Sequence, residues 1–463
     1  MTDTSRQPAD ALVLFGITGD LAKKMLLPAL YQLVRQDLLT VPVIGVGRSD
    51  WDDARLRDHA RDCVAEQGAV DEDAFARFAA LLSYVPVDYD DPATFTALAA
   101  KARPLGYLAH YIAVPPETYA TIARRLAEAG LHDDARLIVE KPFGHDRASA
   151  RDLQAELTAH FPEERLRRVD HFLGKSAVDN LLTIRLANPL LSAVLCREYV
   201  CSVQLTMAED FDVADRGGFY DATGCLRDVV ENHLLQTLVY FLMEAPRTGS
   251  AADLLDERTR TLRAIRTARA EDYVRGQYAG YQDVDDVAPG STTETYAALI
   301  LYADTARWSG VPIAIRAGKA MATTAIELIV ELTRAIPGYH HTHGAQTAAP
   351  NLIRLRIGPD AGLSLTLLTQ HGDDATRIDE NTARLDFTQL TGDDTDAYRN
   401  VLHDALTGKT SRFVTMQMVD ECWRITGPLL NTETKPLTYE PGSWGPSEAE
   451  RLVPGGWHPL ELP

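Results

Sequence analysis

The chain has 463 residues, 45% hydrophobic and 24% charged, ordinary globular values that exclude a disordered or fibrous protein and leave room for two or three cores. Acidic residues number 66 against 46 basic ones, a formal charge of -20 whose field repels nucleic acid and anionic membranes but spares a small anionic ligand held by locally concentrated Lys and Arg. Residues 1–10 are polar, no apolar run approaches about 18 residues, and the five cysteines are scattered without a CxxC pair, so a cytoplasmic protein is expected.

From Ala11 to about Val169 short apolar runs alternate with longer amphipathic segments, the pattern of βαβ units feeding a parallel sheet. Strands are predicted at residues 12–15, 41–46, 83–87, 107–113 and 137–140, with helices such as 21–35 and 117–129 between them. After about Asp170 the rhythm changes. A helical stretch at 174–186 precedes alternating segments near 199–207, 293–303, 326–332 and 352–357, interrupted by a long apolar helix at 222–243. The expected fold is an α/β Rossmann-like dinucleotide-binding domain, residues 1–170, plus a larger α+β domain, residues 171–463, with a mostly antiparallel sheet.

The first strand ends in Phe15-Gly16-Ile17-Thr18-Gly19-Asp20-Leu21 and runs straight into a helix. A glycine turn there lets the backbone approach a pyrophosphate at the positive helix N-terminus. Gly16, Thr18, Gly19, Asp20 and Leu21 are therefore dinucleotide candidates, against the plainer reading of a tight βα turn. Arg48 follows the second strand, where an NAD site would usually carry an acidic residue. Its forked cation suits a 2'-phosphate, so NADP is the expected cofactor; a solvated loop arginine is the alternative. Glu140-Lys141-Pro142-Phe143-Gly144 follows the fifth strand at the edge where such folds bind ligands, making Lys141 a candidate contact for substrate and cofactor and Pro142 a candidate cis residue.

In Asp170-His171-Phe172-Leu173-Gly174-Lys175, Asp170 and His171 point to opposite faces of an extended chain. A helix starting near Gly174 would aim its N–H groups and Lys175 at a phosphate beside His171; an ion pair at a domain junction is the plain alternative. His233 lies inside an apolar helix, where a satisfied core histidine is the ordinary case. If Asp170 reaches it, the carboxylate fixes one ring nitrogen and leaves the other as a general base. Asp228, about 140° from His233 around an α-helix, is read as binding another ligand group. Glu209 and Asp212 are candidates for substrate hydroxyls, and Lys319, in Arg316-Ala317-Gly318-Lys319, for a further cation. His340, His341 and His343 form a His-rich loop, but no carboxylate or Cys completes a metal shell, so no metal is expected. Gly408-Lys409-Thr410 is not a P-loop ending, because His403 stands where the earlier Gly is required.

Taken in order, the Gly16 turn with Asp20-Leu21-Ala22-Lys23-Lys24, Arg48, Glu140 to Gly144, Asp170 to Lys175, Arg227-Asp228 with Asn232-His233-Leu234-Leu235-Gln236, and Arg316 to Lys319 resemble the glucose-6-phosphate dehydrogenase family over nearly the whole chain. The resemblance implies that Gly16 to Asp20 form the dinucleotide turn, that Arg48 reads the 2'-phosphate and that Asp170 and His233 are the catalytic dyad. It implies a substrate-phosphate grip of His171 and Lys175, with Lys141, Glu209, Asp228 and Lys319 binding the sugar or orienting the reactants. It also implies a large antiparallel sheet at a dimer interface, hence a homodimer or homotetramer. Four residues depart from the family pattern: Met25 replaces a Lys, Phe172 a Tyr, Thr324 a basic residue and Ser176 the Glu after Lys175; the first three remove polar or cationic groups, so the phosphate grip is thinned. The expected activity is NADP-dependent oxidation of glucose 6-phosphate, or a close sugar phosphate, at C1 to the lactone. A paralogue acting on another sugar and a catalytically silent NADP-binding subunit are the alternatives.

Overall fold

The structure is a computed structural model that describes residues 7–333, 349–372, 374–391, 394–432 and 434–461; His340, His341 and His343 lie outside the described residues. The chain forms two compact units, the first of Met1–Lys175, Pro246–Leu255 and Asp394–Asp420, the second of Ser176–Ala245, Asp256–Asp393 and Glu421–Pro463. No helix among the described residues is long and apolar enough to cross a membrane.

The first unit carries a seven-stranded sheet in the order Phe413–Val414, Leu166–Val169, Ala135–Glu140, Leu108–Ile112, Ala11–Phe15, Val43–Gly47, Leu82–Pro86. All neighbours are parallel except the pairing of Phe413–Val414 with Leu166–Val169. Helices cover such sheets on both faces, which is why Ala11–Phe15, Val43–Gly47 and Leu108–Ile112 are buried along their whole length. The chain runs outward from Ala11–Phe15 through two strands, then returns to its other side at Leu108–Ile112, so the strand order reverses beside Gly16. Leu166–Val169 was not anticipated as a strand because Arg167 and Arg168 interrupt its apolar pattern. Both are buried, and Arg168 is neutralised by Glu163 at 2.9 Å. The expected helix at 21–35 is two segments, Ala22–Leu26 wound with i to i+5 bonds and Leu27–Arg35 as an α-helix.

The second unit carries a nine-stranded, mostly antiparallel sheet in the order Asp374–Thr391, Asp360–His371, Leu352–Gly358, Ala325–Leu332, Val200–Ala208, Ile313–Gly318, Tyr296–Leu301, Tyr273–Tyr278, Leu437–Tyr439. Val200–Ala208 and Ile313–Gly318 run parallel, as do Leu437–Tyr439 and Tyr273–Tyr278. The single helix expected at 222–243 is broken. Gly224, at φ +71°, kinks Gly217–Cys225 near its end; the following Leu226–Leu234 is wound with i to i+5 bonds before Leu235–Leu242 returns to α geometry. Glu294 holds the start of the second segment, its backbone carbonyl accepting from Cys225 N–H at 2.9 Å and its carboxylate from Leu226 N–H at 3.1 Å.

Helix Asp394–Thr407 belongs to the first unit, where its backbone packs directly on Gly174. A Cβ on Gly174 would stand 2.3 Å from the carbonyl oxygen of Ala397, and Asn400 Nδ2 donates to Gly174 O at 2.8 Å. Gly174→Ala should therefore destabilise the protein by about 1–3 kcal/mol, the usual cost of overpacking a fitted contact, in a urea unfolding titration. Unchanged stability would show that the helix moves aside freely.

Candidate functional site

The sequence-predicted residues of the first unit all follow carboxyl ends of its parallel strands: Gly16 to Leu21 after Phe15, Arg48 after Gly47, Lys141 after Glu140, and Asp170 to Lys175 after Val169. Doubly wound sheets bind ligands on this edge, beside the point of strand reversal. Gly16 has φ +76°, and a Cβ there would lie 2.2 Å from Ala113 O, so only glycine lets the turn pass between two strand ends. Gly19 N–H donates to Gly16 O at 2.9 Å and closes the turn. Gly47 leaves room for Thr18, whose Oγ1 would be 3.3 Å from a Cβ at that position. Leu21 packs on the core while Asp20 and Arg48 are exposed. A turn with no side chain at its tightest point and backbone amides at a helix start fit a dinucleotide, and the Arg48 guanidinium is exposed nearby.

Behind Lys141 lies a buried polar cluster that the sequence reading missed apart from Lys141 and Asp170. The Glu140 carboxylate accepts from Tyr111 Oη, and its backbone carbonyl accepts from Tyr119 Oη at 3.0 Å. The Glu140 carboxyl is pushed up to about 7, chiefly by burial and also by the charge of Asp170, against the lowering effect of the Tyr111 hydroxyl, the Lys141 cation and the Tyr398 hydroxyl. The Lys141–Pro142 peptide is cis, as expected. Asp170 is buried, and its Oδ1 accepts from Phe172 N–H at 3.1 Å.

His171 and Lys175 stand on either end of a short turn, His171–Gly174 being a 3-10 helix, followed by helix Ser176–Ala187. The His171 ring stacks on Tyr398 with centroids 5.4 Å apart and planes 13° apart. Lys175 Nζ lies 4.7 Å from the centre of the Phe172 ring and 2.5 Å from Asp394 Oδ1. Phe172 is buried and therefore packs where the family pattern has a hydroxyl; Met25 packs against the apolar core.

In the second unit the parallel pairing of Val200–Ala208 with Ile313–Gly318 sets Ala208 opposite Gly318, so the next residues, Glu209 and Lys319, emerge side by side. Lys319 Nζ lies 2.6 Å from Glu209 Oε2 and 4.5 Å from the centre of the Phe211 ring. Asp228 belongs to the same cluster: burial, then Glu294, Asp228 and Glu209, push the Cys225 thiol well above its ordinary value, while Lys319 opposes them. Asp212 is exposed and accepts the Ala214 N–H at 2.8 Å. Thr324 Oγ1 donates to Asp210 Oδ1 at 2.5 Å and accepts Asp210 N–H at 3.0 Å.

His233 is 3% exposed and lies in the i to i+5 segment, so the 140° separation assumed for Asp228 does not apply. With that winding, residues five apart come round to the same side of the segment. Asn232 spans the altered ladder: its Oδ1 accepts His233 N–H at 2.7 Å and its Nδ2 donates to Arg227 O at 2.9 Å. The sequence reading gave Asn232 no such part; the signal available was an Asn immediately before a His in a long apolar helix.

Two family models match the chain: "Glucose-6-phosphate dehydrogenase, NAD binding domain" over residues 13–180 and "Glucose-6-phosphate dehydrogenase, C-terminal domain" over residues 182–457. The chain is 41% identical to glucose-6-phosphate 1-dehydrogenase 1 of Mycobacterium tuberculosis over 100% of its length and 99% of the relative, and 32% identical to glucose-6-phosphate 1-dehydrogenase of Bacillus subtilis over 97% and 98%. Its structure is similar to the crystal structure of glucose-6-phosphate 1-dehydrogenase from Mycobacterium avium, with a TM-score of 0.92 and 42% identity over 99% of this chain and 100% of the other. A glucose-6-phosphate dehydrogenase in complex with its substrate glucose 6-phosphate aligns at a TM-score of 0.90 and 30% identity over 98% and 99%.

The raised Glu140 carboxyl gives a signed expectation. A folded value of about 7 lies above the roughly 4.3 of an unfolded Glu, so its favourable contribution is complete below about pH 4.3 and lost as pH rises to about 7. Glu140→Gln mimics the protonated form, so its stability relative to wild type should rise by roughly 2–3 kcal/mol between pH 4.5 and 8, measured by denaturant unfolding. Parallel stability profiles would show that Glu140 titrates normally.

Proposed function

We propose, from the premise that this chain belongs to the glucose-6-phosphate dehydrogenase family, that it oxidises glucose 6-phosphate at C1 to the lactone with NADP as the electron acceptor. The observation that carries the reading is the alignment of Gly16, Arg48, Lys141 and the Asp170 to Lys175 run along one carboxyl edge of the parallel sheet. Bound NADP supplies the hydride acceptor, which no protein side chain can replace. Gly16, Thr18, Gly19, Asp20 and Leu21 hold its pyrophosphate, Arg48 its 2'-phosphate, and Lys141 contacts both reactants.

His233 is the general base that takes the C1 hydroxyl proton as the C1–H bond breaks, and Asp170 is the carboxylate that fixes its tautomer. His171 and Lys175 hold the 6-phosphate. Glu209, Asp228 and Lys319, clustered around Cys225, hold sugar hydroxyls and orient them. In this reading residues 1–170 bind NADP and residues 171–463 serve substrate binding and dimerisation. The exposed Leu367 and Leu385 on outer strands of the nine-stranded sheet support a homodimer or homotetramer. A charge of -20 and the small anionic substrate favour a cytoplasmic enzyme with no nucleic-acid or membrane partner.

Arg48→Ala should weaken NADP binding by about 10- to 150-fold, the worth of one charge-assisted contact, and leave NAD binding nearly unchanged, as read by fluorescence titration of both cofactors. Equal losses would assign Arg48 to loop support. His233→Asn keeps the size of the side chain but accepts no proton at neutral pH, so turnover should fall by roughly 100- to 10,000-fold with the fold intact. A variant that retains more than a tenth of the wild-type rate would move the base elsewhere.

A further inference from the structure

The cations assigned to the substrate phosphate already face a carboxylate of their own chain. Asp394 Oδ1 lies 2.5 Å from Lys175 Nζ and 3.7 Å from His171 Nε2. Lys175 is 6% exposed and His171 14%, so the two cations are shielded, while Asp394, 42% exposed, meets them from the solvent side. The geometry of this triad is fixed by the fold. Asp394 is the first residue of helix Asp394–Thr407, and Tyr398, four residues on and hence on the same helix face, stacks under His171. The close approach of Ala397 O to Gly174 and the hydrogen bond from Asn400 Nδ2 to Gly174 O seat that helix against the grip.

A carboxylate presents two anionic oxygens at the spacing a phosphoryl group also offers, so it competes for the same N–H donors. We propose that Asp394 is a specificity-determining residue: an internal anion seated at the phosphate grip, which a 6-phosphate must displace or tolerate at like-charge cost, and which therefore weakens selection for phosphorylated over unphosphorylated sugar. The inference rests on the assignment of His171 and Lys175 to the 6-phosphate and extends it.

The test is steady-state kinetics of wild type and Asp394→Asn with glucose 6-phosphate and with free glucose, alongside calorimetric titration with glucose 6-phosphate. Asp394→Ser, whose hydroxyl still serves a helix start, is the second variant should the amide fold poorly. Removing the carboxylate charge should lower KM and Kd for glucose 6-phosphate about tenfold while KM for glucose changes less than twofold. An unchanged or higher KM and Kd for glucose 6-phosphate in both variants overturns the inference, the higher value meaning that Asp394 orients Lys175 productively. An equal gain for glucose also overturns it. Tighter binding of glucose 6-phosphate without oxidation by any of the proteins would sustain the inference and refute the proposed activity; no binding by any of them would refute both.

Discussion

The contact on which the rest of the first unit depends is between two backbones: Gly174 and the Ala397 carbonyl, at a point where a single added carbon would stand 2.3 Å from an oxygen. It joins residues more than two hundred positions apart in the chain. With the helix seated this closely and held by the Asn400 Nδ2 hydrogen bond to Gly174 O, Tyr398 stacks on His171 and Asp394 reaches Lys175. The surroundings of His171 and Lys175 thus depend on a backbone contact that has no charge in it.

The same helix reaches the next loop of the site. The Tyr398 hydroxyl helps hold the Glu140 carboxyl, which adjoins Lys141, and its ring carries His171. Glu140 is itself buried against Tyr111 and Tyr119, so Lys141 projects from a packed polar cluster and not from a mobile surface turn. Burying a carboxyl costs free energy unless it is hydrogen-bonded, and these tyrosines supply the bonds. Rigid support of this kind is what a positioned donor requires.

Much of this was legible in the sequence where the signal is local. The Gly16 turn is legible because a strand, two glycines and a helix start are contiguous, and the burial of Ala11–Phe15 follows from an unbroken apolar run. The pairing of Glu209 with Lys319 was half legible: each residue was a candidate, but only the parallel register of two distant strands makes them neighbours. Leu166–Val169 was hidden by two buried arginines, and the broken helix before His233 by the assumption of uniform α geometry. Asp394 carried no signal at all, since nothing in Asp394-Thr395-Asp396 indicates which cation a helix start will meet.

We propose that this chain couples oxidation of glucose 6-phosphate at C1 to reduction of NADP. The most direct measurement is the rate at which the purified protein forms reduced nicotinamide from NADP and from NAD, with glucose 6-phosphate, glucose and other hexose phosphates supplied in turn. Turnover with glucose 6-phosphate and NADP is the expected result, with the lactone or its hydrolysis product accumulating in equal amount. Cofactor binding with no turnover on any of these sugars, or efficient oxidation of a different sugar while glucose 6-phosphate is left untouched, would contradict it.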